Sequence, residues 1–170
     1  QIFVYNTPFH DDVTEIVHVS VKNTNNKYPA GEQGLKTKTK KFIEELHEII
    51  ECAKYSEQLA AIEENANTKK HKNHVGLLIF LSSDSEDLER NIRPNLSRIR
   101  LENSSSTPIY LIDNARASFL LKVVDHLQSV TAENEKYEFY YPYIGTAVSV
   151  EAERRGPYLP LGLIASDIVV

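Results

Sequence analysis

The chain has 170 residues, a formal net charge of -5 at pH 7, 41% hydrophobic residues and 25% charged residues. That length can bury a core in one domain, and the composition excludes a globally disordered chain. No stretch reads as a membrane span or a signal peptide, so no membrane partner is expected, and the acidic balance does not by itself advertise nucleic-acid binding.

The first residues, Ile2 to Tyr5, read as a strand, and Asn6-Thr7-Pro8 opens a turn. Glu15 to Lys22 is a second strand. Val17, Val19 and Val21 fall on one face, and Ile16, His18, Ser20 and Lys22 on the other. After a loop through Pro29-Ala30-Gly31, helical spacing runs from about Gly34 to Asn65, with a break expected near Tyr55-Ser56. Leu35, Phe42, Leu46, Ile49, Ile50, Ala53 and Leu59 make its apolar side, and polar residues 65 to 73 make the next loop. Val75 to Leu81 is an uninterrupted apolar run, as in a strand covered on both faces. Ser82 to Ser85 is expected to cap a helix reaching about Arg98, interrupted at Pro94. Pro108 to Ile112 is a further buried strand. Ala115 to Ser129 is a helix with Phe119, Leu120, Val123, Val124 and Leu127 as its stripe. Tyr137 to Tyr143 and Leu161 to Val170 read as the last strands.

The predicted fold class is therefore α/β: a mixed central sheet opened by an antiparallel hairpin and flanked by helices. No repeat or linker divides residues 1 to 170, so a single domain is expected. The chain lacks Met, starts in one apolar run and stops in another (Ile168 to Val170), which reads as a piece of a longer protein. Its one cysteine, Cys52, excludes an internal disulfide and points to a reducing, cytoplasmic setting. Within the helical pattern Cys52 reads as a core or half-buried residue.

Several groups are candidates for chemistry. Lys36, Lys38, Lys40 and Lys41 form one basic stripe. Lys69, Lys70, His71, Lys72 and His74 form another, which reads as a solvated loop rather than a zinc site. Lys22 ends an otherwise apolar strand beside a polar loop and a helix start, where it can reach a phosphate. No glycine-rich phosphate loop or nucleophile elbow is present.

His18-Val19-Ser20-Val21-Lys22, followed by Asn23 to Tyr28, Pro29 and Gln33, resembles the hairpin-to-helix segment of PD-(D/E)xK nucleases, the superfamily of restriction enzymes and anti-phage defence effectors. The resemblance covers about residues 1 to 82 and implies a restriction-endonuclease-like core. It implies a nuclease acting on DNA with Mg²⁺ within a restriction or defence protein, alongside other subunits or domains. Lys22 matches the family's lysine, which acts on the attacking water and the scissile phosphate. Gln33 matches the family's glutamine. Ser20 stands where the family has Asp or Glu, and a hydroxyl is a poor ligand for a hard cation. Lys36, Lys38 and Lys40 are then the expected nucleic-acid contacts.

Asp11 and Asp12 do not supply the missing acid. Ten residues at about 3.3 Å each place Asp12 roughly 30 Å from Lys22 along the strand. An antiparallel hairpin turning near residues 9 and 10 sets Ser20 opposite Gln1 or the position before it. The family's Asp is expected there, at or upstream of Gln1, with Glu32 as the replacement acid inside the chain. Two other classes compete with the nuclease. One is a non-catalytic α/β interaction domain with a degenerate nuclease fold. The other is a small-molecule or nucleotide sensor using Asp84 and Asp113 at strand ends, although Asp113 also reads as a helix cap.

Overall fold

The computed structural model describes residues 1–10, 12–66, 68–96, 99, 106–132, 135–141 and 155–164. The opening hairpin is formed by β1 (Ile2–Asn6) and β2 (Val13–Thr24). They pair antiparallel with Ile2 opposite His18 and Asn6 opposite Thr14. The strands turn as expected around residue 10, where the Thr7 amide donates to the Val13 carbonyl at 3.0 Å.

The helical segment breaks where the sequence places the break, into α1 (Glu32–Ala53) and α2 (Glu57–Asn65). Ser56 makes the second start, since its side chain accepts the Leu59 amide. The next strand, β3 (His71–Ser82), begins four residues before the apolar run. His71 to His74 are expected in a loop, but they pair in parallel with Val13 to Ile16. Backbone pairing with a fixed strand outweighs their polarity, because one side of this extension faces water and is exposed.

The remaining elements are β4 (Ile109–Ile112), α3 (Asn114–Val130), β5 (Phe139–Tyr140), β6 (Arg155–Gly156) and α4 (Leu161–Ile164). The main sheet has the order β1-β2-β3-β4, with β2, β3 and β4 parallel. This is the mixed sheet opened by a hairpin and flanked by helices.

Four expectations are corrected. Residues 83 to 96 do not form a helix; they fold into turns and a 3-10 turn at Arg93–Leu96. The cause is Asp87, whose carboxylate accepts the Tyr28 amide at 2.6 Å and meets Arg90 at 3.0 Å, so the segment wraps around one buried side chain. The Leu161 segment starts as a short helix rather than a strand, with the Leu163 and Ile164 amides both donating to the Pro160 carbonyl; residues 165 to 170 lie outside the described ones. Within the aromatic run only Phe139 and Tyr140 are strand, pairing with β6 in a separate two-stranded sheet, and residues 142 and 143 lie outside the described ones. Cys52 is exposed, because it lies off the buried stripe of α1 formed by Leu35, Thr39, Leu46, His47 and Ile50.

Both faces of the sheet are packed. On one face Leu78 and Phe80 join Leu35, Leu46 and Ile50 of α1. On the other, Val17, Val75 and Leu77 meet Ile112, Leu161 and Leu120. On α3, Leu120 belongs to this second core, while Phe119 and Val124 of the expected stripe are substantially exposed.

A buried network closes the C-terminal edge of the sheet. The Tyr28 hydroxyl lies 2.6 Å from both the Phe80 carbonyl and Asn114 Oδ1. Asn114 in turn accepts the Ser82 amide and donates to the Ser82 carbonyl. Asp113, fully buried, caps α3 by accepting the Arg116 amide and also accepts the Ile92 amide.

Deeper along the same face, His18 Nε2 and His74 Nδ1 are 3.0 Å apart with stacked rings. His18 is buried, and its Nδ1 has no hydrogen-bond partner, so a second proton on this ring would be buried unmet. Burial, then the charges of His74, the Gln1 ammonium and Lys54, lowers the His18 pKa from 6.5 to about 4. Only the unfolded chain takes up this proton between those values. The contribution is therefore complete above about pH 6.5 and is lost as the pH falls through about 4. We expect stability in urea to drop by about 2–3 kcal/mol over that range from this group alone, and His18→Leu to remove most of that slope. Identical pH slopes for the two proteins would contradict this account of the pair.

Candidate functional site

Strand alternation puts Ser20 and Lys22 on the α1-facing side of β2, since they register with Leu78 and Phe80 of β3. Both are half-buried near the C-terminal end of the parallel strands, the usual position of sites on such sheets. Lys22 does not end free in water. Its ammonium lies 2.7 Å from Glu45 Oε2 and 5.0 Å from the centre of the Phe42 ring. Phe42 packs edge-on against Phe80 at 5.2 Å, and the Lys38 ammonium stands 5.6 Å over the Phe80 ring. Two lysines, one from β2 and one from α1, thus flank a single aromatic pair.

The basic stripe of α1 is largely neutralised by its own helix. Lys36 pairs with Glu32 at 2.5 Å, Lys40 with Glu44 at 3.6 Å and Lys41 with Glu45 at 3.9 Å, all at one-turn spacing. Lys38 makes no ion pair with a described residue and keeps its charge available. The second basic stripe is dispersed. Lys72 pairs with Glu63, and His74 turns to His18.

Lys22 meets α1 at Phe42 and Glu45, whereas Gln33 and Glu32 occupy the first turn and are exposed. Twelve residues at 1.5 Å each put Gln33 about 18 Å along the helix axis from Glu45. The structure therefore brings together Lys22, Lys38, Phe42 and Glu45, and does not bring Gln33 or Glu32 to Lys22. Glu45 is the carboxylate missed in the sequence, 23 residues from Lys22. Its one-turn spacing from Lys41 reads as an ordinary solvated helix face, and only the packing of α1 on β2 reveals the contact.

The position opposite Ser20 follows from the register. The Val19 amide donates to the Gln1 carbonyl at 2.8 Å, and Ile2 opposes His18, so Ser20 faces the position one residue before Gln1. At the other strand ends, Asp113 is consumed by capping and Asp84 Oδ1 accepts the Glu86 amide in a turn. An open cleft of about 670 Å³ lies near them, lined by Asn23, Ser83, Leu88, Asn114 and Leu121 among others, and neither aspartate lines it.

A four-stranded mixed sheet with an antiparallel entry hairpin and a lysine at the end of its second strand defines a restriction-endonuclease-like α/β domain. Residues 1–116 match the family described as GAPS4 protein PD-(D/E)XK nuclease domain, and the chain belongs to that family. No curated protein and no solved structure matches it.

Nucleases of the PD-(D/E)XK class generally use divalent metal ions. Among the described residues, no group of three His, Cys, Asp or Glu side chains could hold one. Ser20 is neutral, and the two Glu45 oxygens are directed at Lys22 and Lys41. These side chains alone do not fit a bound divalent cation.

The hydrogen bond from Lys22, only partly opposed by desolvation, holds the Glu45 carboxyl below its usual range. Lys22→Met should return the Glu45 titration, followed by carbon NMR of its carboxyl, toward the ordinary glutamate value. An unchanged titration in the variant would contradict the ion pair.

Proposed function

We propose that the domain binds nucleic-acid phosphodiesters at the C-terminal end of β2 and acts as a metal-dependent nuclease, with DNA as the favoured substrate. One observation carries this reading: Lys22 and Lys38 converge on the Phe42–Phe80 pair in a domain of this family. Two ammonium groups at one strand end match the charge of a phosphate, and the low polarity of the rings beneath them strengthens the attraction.

In this reading Lys22 faces the scissile phosphate and stabilises the charge that develops there. Ser20 lies on the same face, as a hydroxyl donor or acceptor rather than a metal ligand. Lys36 and Lys40 contact the flanking backbone by exchanging Glu32 and Glu44 for phosphate oxygens. Gln33, beyond the strand ends, contacts nucleic acid away from the reacting bond. The expected ion is Mg²⁺, with its acid opposite Ser20. Residues 1–170 act as one domain of a cytoplasmic restriction or antiviral defence protein that works with other subunits or domains.

The neutral Ser20 and the absence of a metal-holding cluster among the described residues favour a second reading, a degenerate nuclease fold used for assembly. Incubation of the intact protein with supercoiled plasmid and Mg²⁺ separates the two. The nuclease reading expects nicking or linearisation by the wild type, reduced about 10²–10³-fold by Lys22→Ala. Equal cleavage by both proteins would remove Lys22 from the site. DNA and RNA left intact by the intact protein with Mg²⁺ or Mn²⁺, its partner subunits present, would favour the assembly domain instead.

A further inference from the structure

We propose that Glu45 is a positioning residue for Lys22: a carboxylate supplied by α1 that aims the ammonium of the strand lysine at the reacting phosphate. This rests on the reading of the β2 end as a phosphodiester site. A lysine is a point charge on a flexible four-carbon stem that has to be restrained before it can act at one atom. Two side chains one helical turn apart restrain it here. Phe42 lies under the ammonium at 5.0 Å, and Glu45 Oε2 takes it at 2.7 Å.

The carboxylate is itself held from two sides. Its second oxygen faces Lys41 at 3.9 Å, so one oxygen serves the strand cation and the other the helix cation. The pair is partly open to water, with side-chain exposures of 29% for Lys22 and 36% for Glu45. Ion pairs of that exposure contribute little to folding, so its contribution is to orientation. Ser20, two residues before Lys22 on the same face, carries no charge and cannot fix the ammonium in this way. Glu45 offers the negative charge that β2 lacks beside Lys22, and it comes from across the helix-sheet interface.

A positioning role and a masking role make opposite predictions. A carboxylate that merely competes with phosphate for Lys22 would release activity when neutralised. One that aims Lys22 would lower the rate of the chemical step when neutralised and leave substrate binding nearly intact.

The test compares the intact protein as wild type, Glu45→Gln, Glu45→Asp, Lys22→Met and the Lys22→Met/Glu45→Gln double variant on supercoiled plasmid with Mg²⁺. kcat and KM are measured separately, and thermal melting serves as a check on folding. Glu45→Gln is expected to lower kcat about 10–100-fold, with KM changed by less than about threefold. Glu45→Asp, which keeps the charge on a shorter stem, should recover part of the loss. The double variant should be no slower than Lys22→Met, because the two residues act as a unit. Wild-type or faster cleavage by Glu45→Gln overturns the proposal while the nuclease reading stands, and so does a double variant as slow as the product of the single losses. A wild type inert on plasmid overturns the nuclease reading and this role of Glu45 together.

Discussion

The close seating of α1 on the sheet over Gly76 is the constraint from which the site follows. A Cβ at Gly76 would lie 2.8 Å from Ile109 Cγ1, 3.0 Å from Leu46 Cδ2 and 3.2 Å from Ile50 Cδ1. Only a residue without a side chain lets β4 and two turns of α1 close over β3 at that point. The helix is thereby brought down on a parallel pair, β2 and β3, in register over twelve residues. At that height, Phe42 reaches Phe80 and Glu45 reaches Lys22. Tyr28 then fixes the loop that feeds α1, by packing on Phe80 and bonding to Asn114 beneath it. The position of one lysine is thus set by a glycine four residues back along the neighbouring strand's register, through an intervening helix.

Electrostatics divides the helix surface that results. Most of its lysines are matched by glutamates one turn away, which explains how a chain of net charge -5 carries a dense basic stripe without a strong positive field. Lys38 is the cation in that stripe that rests on an aromatic ring and pairs with no described carboxylate. In the proposed reading, a polyanion bound elsewhere on α1 would exchange one partner for another, which costs selectivity little and makes the interaction dependent on salt. The histidine pair farther down the same face, His18 buried and His74 half-buried, plays a different part. It holds β3 on β2 while uncharged, and it ties this edge of the sheet to near-neutral pH.

Much of the fold was legible because period and punctuation agreed. The alternation in β2, the apolar run of β3, the cap at Asp113 and the break before Ser56 each state a local preference that the tertiary structure keeps. The failures share a cause. His71 to His74 look like loop but are recruited by a partner strand. The 83–96 segment looks like a capped helix but is drawn around Asp87 by the backbone of Tyr28, 59 residues away. Glu45 looks like one more exposed helix charge. In each case a contact distant in sequence outweighs the local signal, and no spacing rule within a single sequence encodes it. Lys22 could be singled out because a cation at the end of an apolar strand is unusual in itself.

The central claim, that nucleic acid is engaged where β2 ends beneath α1, is tested most directly by NMR. A short DNA duplex is titrated into the isotope-labelled chain in Mg²⁺-free buffer, and the backbone amides and lysine ammonium groups are followed. Saturable shifts are expected at residues 20–24 and 38–45, with the Lys22 and Lys38 ammonium signals moving together. Shifts confined to α3 and the Leu88–Leu121 cleft, with Lys22 and Lys38 unmoved, would contradict it.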